Sequence, residues 1–205
     1  VDTDTFWALV DEARDRSDGS IEQQAEVLQE LLERRPVAEV VAFARRYDEL
    51  RADLYRQDLW AAAYALQGGC SDDGFSYFRS WVISRGADAY RTALTDPDGL
   101  VAWVEEPTEA DEAETLDYAA DQAYESLTGG EELPASGVHD PGEPAGDPWS
   151  EDDLPARFPR MTARGRQDAE DDEDDDDGEG DDEDGTPPTA PGDRGSWWSR
   201  LRRGR

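Results

Sequence analysis

Apolar residues along the first 128 positions recur at the spacing of helix faces. Phe6, Leu9, Val10 and Ala13 stand at i, i+3, i+4 and i+7, which places them on one side of a helix. Thr3 or Asp4 is placed to cap its start. "SDGS" at 17–20 breaks the pattern. Ser20 and Gln23 then have capping-box spacing, and Leu28, Leu31 and Leu32 carry a second helix to Arg35. Pro36 suits the first turn of a third helix, where its missing N–H would have no intrahelical partner. Val37, Val40, Val41, Ala44 and Tyr47 form its inner face, and Leu50, Leu54, Leu59 and Ala62 extend the stripe. The span 37–66 is therefore one long helix or two joined near Arg56–Asp58.

Gly68–Gly69 closes that span, because glycine accepts the left-handed conformation that ends helices. A fourth helix is predicted from about Phe75 to Arg85, stopping at Gly86. Short helices follow over 87–94 and 97–104, the second opening on "DPDG". The last, over 108–127, turns Leu116, Ala120, Ala123, Tyr124 and Leu127 inward and its glutamates outward. No strand-like alternation of any length interrupts these patterns. The expected fold class is all-α: a domain of about six or seven helices over 1–128, with a long disordered tail over 129–205.

Composition supports that division. From 131 the chain is rich in proline, glycine and acid, a mixture expected to bury too little apolar surface to offset its ordering entropy. "EDDEDDDDGEGDDED" at 170–184 has 13 acidic positions in 15, so it should repel itself and stay extended. Acidic excess is spread over both parts: 29 acidic against 11 basic residues in 1–128, and 23 against 9 in 129–205. A chain of net charge −32 repels phosphates and anionic surfaces, so direct nucleic-acid binding is not expected. Every basic residue is arginine. One cysteine forms no internal disulfide, which fits a reducing compartment. The opening residues have neither the basic nor the apolar region of a signal peptide. The longest apolar run, "LWAAAYAL" at 59–66, falls far short of the ~18 residues of a membrane span. A cytoplasmic location is expected.

The stretch "GGCSDDGFSYFRSW" concentrates the candidate chemistry. Cys70 is the only thiol and His139, the only histidine, lies far away in the proline-rich segment. Asp72 and Asp73 beside the thiol would raise its pKa rather than activate it, so a buried structural cysteine is the default reading. The two aspartates lack the alternating ligands and terminal glutamate of a calcium loop, and zinc has no Cys/His set. A carboxylate-only magnesium site built from Asp48, Asp58, Asp72 and Asp73 requires the helices to converge; no cofactor is expected. Ser71, Asp72 or Asp73 instead stands where the next helix needs its N-cap. Phe75, Phe78, Val82 and Trp81 are core by spacing. Arg79, a charge inside an aromatic segment, is expected to pair with Asp58 or Asp48 across the junction. Trp60, Cys70 and Trp81 complete the candidate cluster.

"FWALVDEAR" at 6–14, the block 43–86 and the following "A-x-x-x-LTDPDGL" together resemble a bacterial family of unknown function numbered 4240, over about residues 1–128. The GGCSDDGF–YFR–W block is its most specific part. The resemblance implies a small intracellular α-helical domain, carries over no activity, and does not reach the tail.

The chain ends on "RGSWWSRLRRGR". Trp197, Trp198 and Leu201 are spaced so that a helix would put them on one face, with Arg200, Arg202 and Arg203 around them. Such a tip can touch a membrane surface peripherally, enter a partner groove, or fold back on the acidic tract. The leading functional reading is a non-enzymatic protein-interaction or regulatory protein with a protein partner. The rivals are a carboxylate-based enzyme or metal-binding domain near the GGCSDDGF loop, with Asp48, Asp58, Asp72, Asp73 and Arg79 lining a polar pocket, and an acidic nucleic-acid mimic. The discriminating question is whether those side chains converge on a cavity or are each occupied by caps and bridges.

Overall fold

A computed structural model of the chain describes residues 1–106 and 109–175. The described residues form an all-α fold whose only β feature is one isolated bridge. Helix α1 (Thr3–Asp15) buries Phe6, Leu9, Val10 and Ala13, the stripe set by its sequence spacing. Its cap is Asp2, one residue before the two candidates, because the Asp2 carboxylate accepts from the Thr5 amide at 2.7 Å. Ser20 caps α2 (Ile21–Glu33) as its spacing predicts, accepting from the Gln23 amide. Pro36 stands at the cap of α3 (Val37–Asp53), just ahead of the first turn.

The apolar stripe over 37–66 belongs to two helices. Between α3 and α4 (Gln57–Gln67) the chain turns at Tyr55–Arg56, where Arg56 is extended. The backbone groups freed by that break are not left unpaired. The Gln57 amide donates to the Ala145 carbonyl at 2.8 Å, and the Ala145 amide donates to the Tyr55 carbonyl at 2.9 Å. A residue 90 positions downstream thus satisfies the break. Gly68 ends α4 in the left-handed conformation, φ +69°. Helix α5 (Asp72–Ser84) follows, then α6 (Ala87–Thr95) and a 3-10 turn over Pro97–Trp103.

The helix expected over 108–127 is broken into α7 (Glu109–Glu112), α8 (Glu114–Asp117) and α9 (Ala119–Thr128). Leu116, Ala120, Ala123 and Tyr124 are buried, but Leu127, in the last turn of α9, is 37% exposed. Val37 is similarly exposed, at the start of α3.

The largest departure from expectation lies beyond 128. Residues 131–148 cross the helical body as a strap without regular structure. The chain then forms a 3-10 turn (Glu151–Asp153), α10 (Leu154–Arg157) and α11 (Pro159–Asp175). Leu154, Phe158 and Met161 are buried like the core residues of the first helices, at 0%, 4% and 0% exposure. Helix α11 crosses α4 so closely that a Cβ on Gly165 would overlap the Leu66 carbonyl oxygen. Asp98, from the "DPDG" turn, caps α11 from a distance: its carboxylate accepts from the Arg160 and Met161 amides at 3.0 and 2.9 Å. The expectation of an unpacked segment fails here because mean composition hides a stripe. Positions 154, 158, 161 and 165 recur at helical spacing within an Arg- and acid-rich run. Residues 170–175 of the acidic block, expected extended, continue α11, a helix already nucleated by its packed first half.

Candidate functional site

The GGCSDDGF loop is a helix junction. Ser71 is the cap of α5, accepting from the Gly74 amide at 3.1 Å. Asp72 and Asp73 occupy the exposed first turn, where an acid meets the positive helix end favourably. Trp60 Nε1 donates to the Cys70 carbonyl at 3.1 Å, and its ring stacks on Phe75 at 4.8 Å. Burial pushes the Cys70 thiol up to about 12, with the Asp111 and Asp72 carboxylates adding to the shift. That thiol is not a nucleophile at neutral pH. Asp58 accepts from the Leu59 amide at 2.9 Å and from Arg56 Nε at 3.1 Å, so it closes the start of α4 locally. Trp81 is core, tilted against Phe78.

Arg79 does not pair with Asp58 or Asp48. Its side chain is 3% exposed, with the guanidinium 5.0 Å from the Tyr55 ring centroid and 5.3 Å from that of Phe75. One N–H donates to the Arg51 carbonyl at 3.0 Å. The forked edge meets the Asp140 carboxylate in a bidentate pair at 2.7 and 2.9 Å. Asp140 belongs to the strap and is itself 37% exposed. The break between α3 and α4 directs Asp58 back to its own helix start, which leaves the strap to supply the anion.

Next to this pair lies a second set of groups, of which the sequence singles out only Asp48. Asp117 at the end of α8 accepts from the Tyr47 hydroxyl at 2.8 Å, the Ser80 hydroxyl at 2.7 Å and Arg51 at 2.7 Å. Arg51 also donates to the Ser76 hydroxyl. Burial, together with the Asp117 charge, raises the Tyr47 phenol well above its ordinary range. Asp48 accepts from the Ser136 hydroxyl of the strap. Burial raises Asp121, with the charges of Asp48, Glu125 and Asp117 adding to it.

These groups line a groove between α3 and α8–α9. One cavity of about 160 Å³ is bounded by Phe43, Tyr47, Asp48, Asp117 and Asp121, with strap residues 133–136 forming its remaining wall. A more open one of about 220 Å³ is bounded by Asp48, Arg51 and strap residues 138–140. Of the predicted candidates, Asp48 lines this groove and Arg79 adjoins it through Asp140. Asp58, Cys70, Ser71, Asp72 and Asp73 remain at the α4–α5 junction. Trp197, Trp198, Arg200, Leu201, Arg202 and Arg203 lie outside the described residues. Among the described residues, no group of three or more His, Cys, Asp and Glu side chains is arranged to hold a metal ion. No described helix is long and apolar enough to cross a membrane.

Residues 1–126 match the model of a family described as a protein of unknown function, DUF4240. No curated protein and no solved structure matches the chain.

Proposed function

The chain belongs to the DUF4240 family, and from that premise we propose that it is a non-enzymatic, cytoplasmic protein-interaction module that binds an extended peptide segment in the groove between α3 and α8–α9. The observation that carries this reading is the groove's present content. Leu133–Ser136 lie along it, with Leu133 packed against the core and the Ser136 hydroxyl on Asp48. A groove with an apolar wall, a hydrogen-bond acceptor and a fixed cation has the mixed lining by which extended segments are recognised. The candidate chemistry of the GGCSDDGF loop supports the same reading, because Ser71 caps α5, Asp58 is bonded to the Leu59 amide and Arg56 in the first turn of α4, and Cys70 is held as a neutral thiol. The carboxylate-based enzyme has less support: Asp117 is already bound by Tyr47, Ser80 and Arg51, and Asp48 by Ser136.

A photo-crosslinking residue placed at 121, on the exposed lip of the groove, tests the proposal in cells. It should yield a discrete heavier adduct of one protein, whereas the same residue at 26 on the exposed side of α2 should not. No adduct from 121, or the same adducts from both positions, would contradict it.

A further inference from the structure

We propose that Arg79 and the groove beside it are a receptor for a carboxylate-bearing extended peptide, and that the strap over 131–148 is its exchangeable intrachain occupant. An acidic segment of a partner protein would then bind by displacing Asp140. The inference rests on the peptide-binding function proposed for this groove and names the chemistry of the partner.

The receptor is built before its anion arrives. The mutually stacked rings of Tyr55 and Phe75 both lie against the guanidinium, and the Arg51 carbonyl fixes one N–H. All of these residues lie within the 1–126 span that matches the family, while the carboxylate comes from beyond it. A buried guanidinium without an anion is strongly unfavourable, so a chain whose strap has lifted presents a directional demand for a carboxylate. Arg79 Nε is buried without a hydrogen-bond partner, so the cation is incompletely satisfied even with Asp140 in place.

The strap is held lightly compared with α10 and α11. Between Glu131 and Pro148 most residues are exposed. Beyond the Glu131–Thr128 bonds at its start, its attachments include Leu133, the Ser136 hydroxyl, the Asp140 carboxylate and the Ala145 backbone pair. Its ends are fixed independently. Gly129 and Gly130, both at positive φ, turn the chain out of α9, and Trp149 packs on Tyr64 before the buried Leu154. The strap can therefore lift while the helices at both ends stay docked, which is the local opening that lightly packed segments undergo. Its attachments also define the ligand: an apolar residue, a hydroxyl three positions later, and a carboxylate four positions after that. An acidic partner of this net-acidic protein is met by repulsion at long range, so its recognition depends on the short-range bidentate geometry at Arg79.

The test uses the full chain with its own strap weakened by Leu133→Ala, Ser136→Ala and Asp140→Asn. The probe is a labelled peptide of residues 131–143, EELPASGVHDPGE, with binding read by fluorescence anisotropy. The weakened chain should bind the peptide at least about tenfold more tightly than the native chain does, a tenfold change being 1.4 kcal/mol. The same peptide with its aspartate replaced by asparagine should lose that gain. Equal binding to both chains, or binding to neither, overturns the proposal. If the triple variant does not fold, hydrogen exchange on the native chain decides. The Val138 and Ala145 amides, bonded to Ser136 Oγ and the Tyr55 carbonyl, should exchange at least about a hundredfold faster than the core amides of α5, by local opening. Exchange of those two amides only together with α5 overturns the proposal. Because these measurements use purified chain and its own peptide, they can fail while crosslinking at 121 succeeds, and the reverse.

Discussion

Replacing Phe158 by alanine separates a packed C-terminal extension from a tail that merely follows the domain. Phe158 is 4% exposed, between Leu154 and Met161, on the junction of α10 and α11. Large-to-small changes of a buried phenylalanine cost about 3–5 kcal/mol, from lost transfer energy plus the cavity left behind. Phe158 sits near the edge of the core with Arg157 over its ring at 5.4 Å, so neighbouring chain can partly close the cavity. The lower end, about 3 kcal/mol, is expected. That is a large part of the ~5–15 kcal/mol by which domains are stable. With a urea slope of about 2 kcal/mol/M for a domain of this size, the unfolding midpoint followed by circular dichroism should fall by about 1.5 M. A substitution in an unpacked tail changes stability by no more than about 0.5 kcal/mol. A midpoint shift within that smaller bound would refute the packing of residues 154–165 on α4.

Gly165→Ala should destabilise by a comparable amount although it adds one methyl group, because the new Cβ meets the Leu66 carbonyl; an unchanged urea midpoint would mean that α11 does not cross α4 there. Ser71→Ala should cost about 1 kcal/mol as a lost N-cap, and Asp73→Asn alone less, about 0.3–0.5 kcal/mol for one exposed charge at a helix start; the reverse order in urea titrations would return the cap to the aspartates. Cys70 should alkylate with iodoacetamide at pH 8.5 at least about tenfold more slowly in the folded chain than in urea, given an ordinary thiol pKa near 8.5 and one pushed up to about 12 here. Since its folded pKa is the raised one, the stability tied to this group is complete below the unfolded pKa and is lost as pH rises from about 8.5 towards 12. Cys70→Ala should therefore flatten the decline of the melting temperature over that window, and an unchanged decline would show that the thiol is not desolvated.

Most of the helical order was legible because amphipathic spacing is a local property. The faces of α1 and α2 and the glycine stop at Gly68 follow from neighbours within a few residues. The α3–α4 break was undecidable for a physical reason. The freed backbone at Tyr55 and Gln57 is satisfied by Ala145, a contact that no local window contains. Arg79 shows the same limit: a charge in an aromatic run announces a buried cation, but its partner Asp140 sits in a Pro- and Gly-rich segment with nothing to mark it. Asp117 reads as one more carboxylate on a solvated face, and only folding turns it towards Tyr47, Ser80 and Arg51. By contrast, the Leu154–Phe158–Met161–Gly165 stripe was present in the sequence, hidden by the averaging of composition over a highly charged window.

The groove and its occupant depend above all on the strap's carboxylate completing the buried cation of the helical domain, and a double-mutant cycle measures that contact. Arg79→Met, Asp140→Asn and the double variant would be unfolded in urea beside the native chain, in low salt. Directly paired groups couple by about 0.5–3 kcal/mol. A buried guanidinium paired through two bonds at 2.7 and 2.9 Å to a carboxylate still 37% exposed should fall in the upper half of that range. The Asp140→Asn change should therefore cost far less once Arg79 is already methionine. Additivity of the two substitutions within about 0.5 kcal/mol would contradict the pairing, and with it the groove and its occupant.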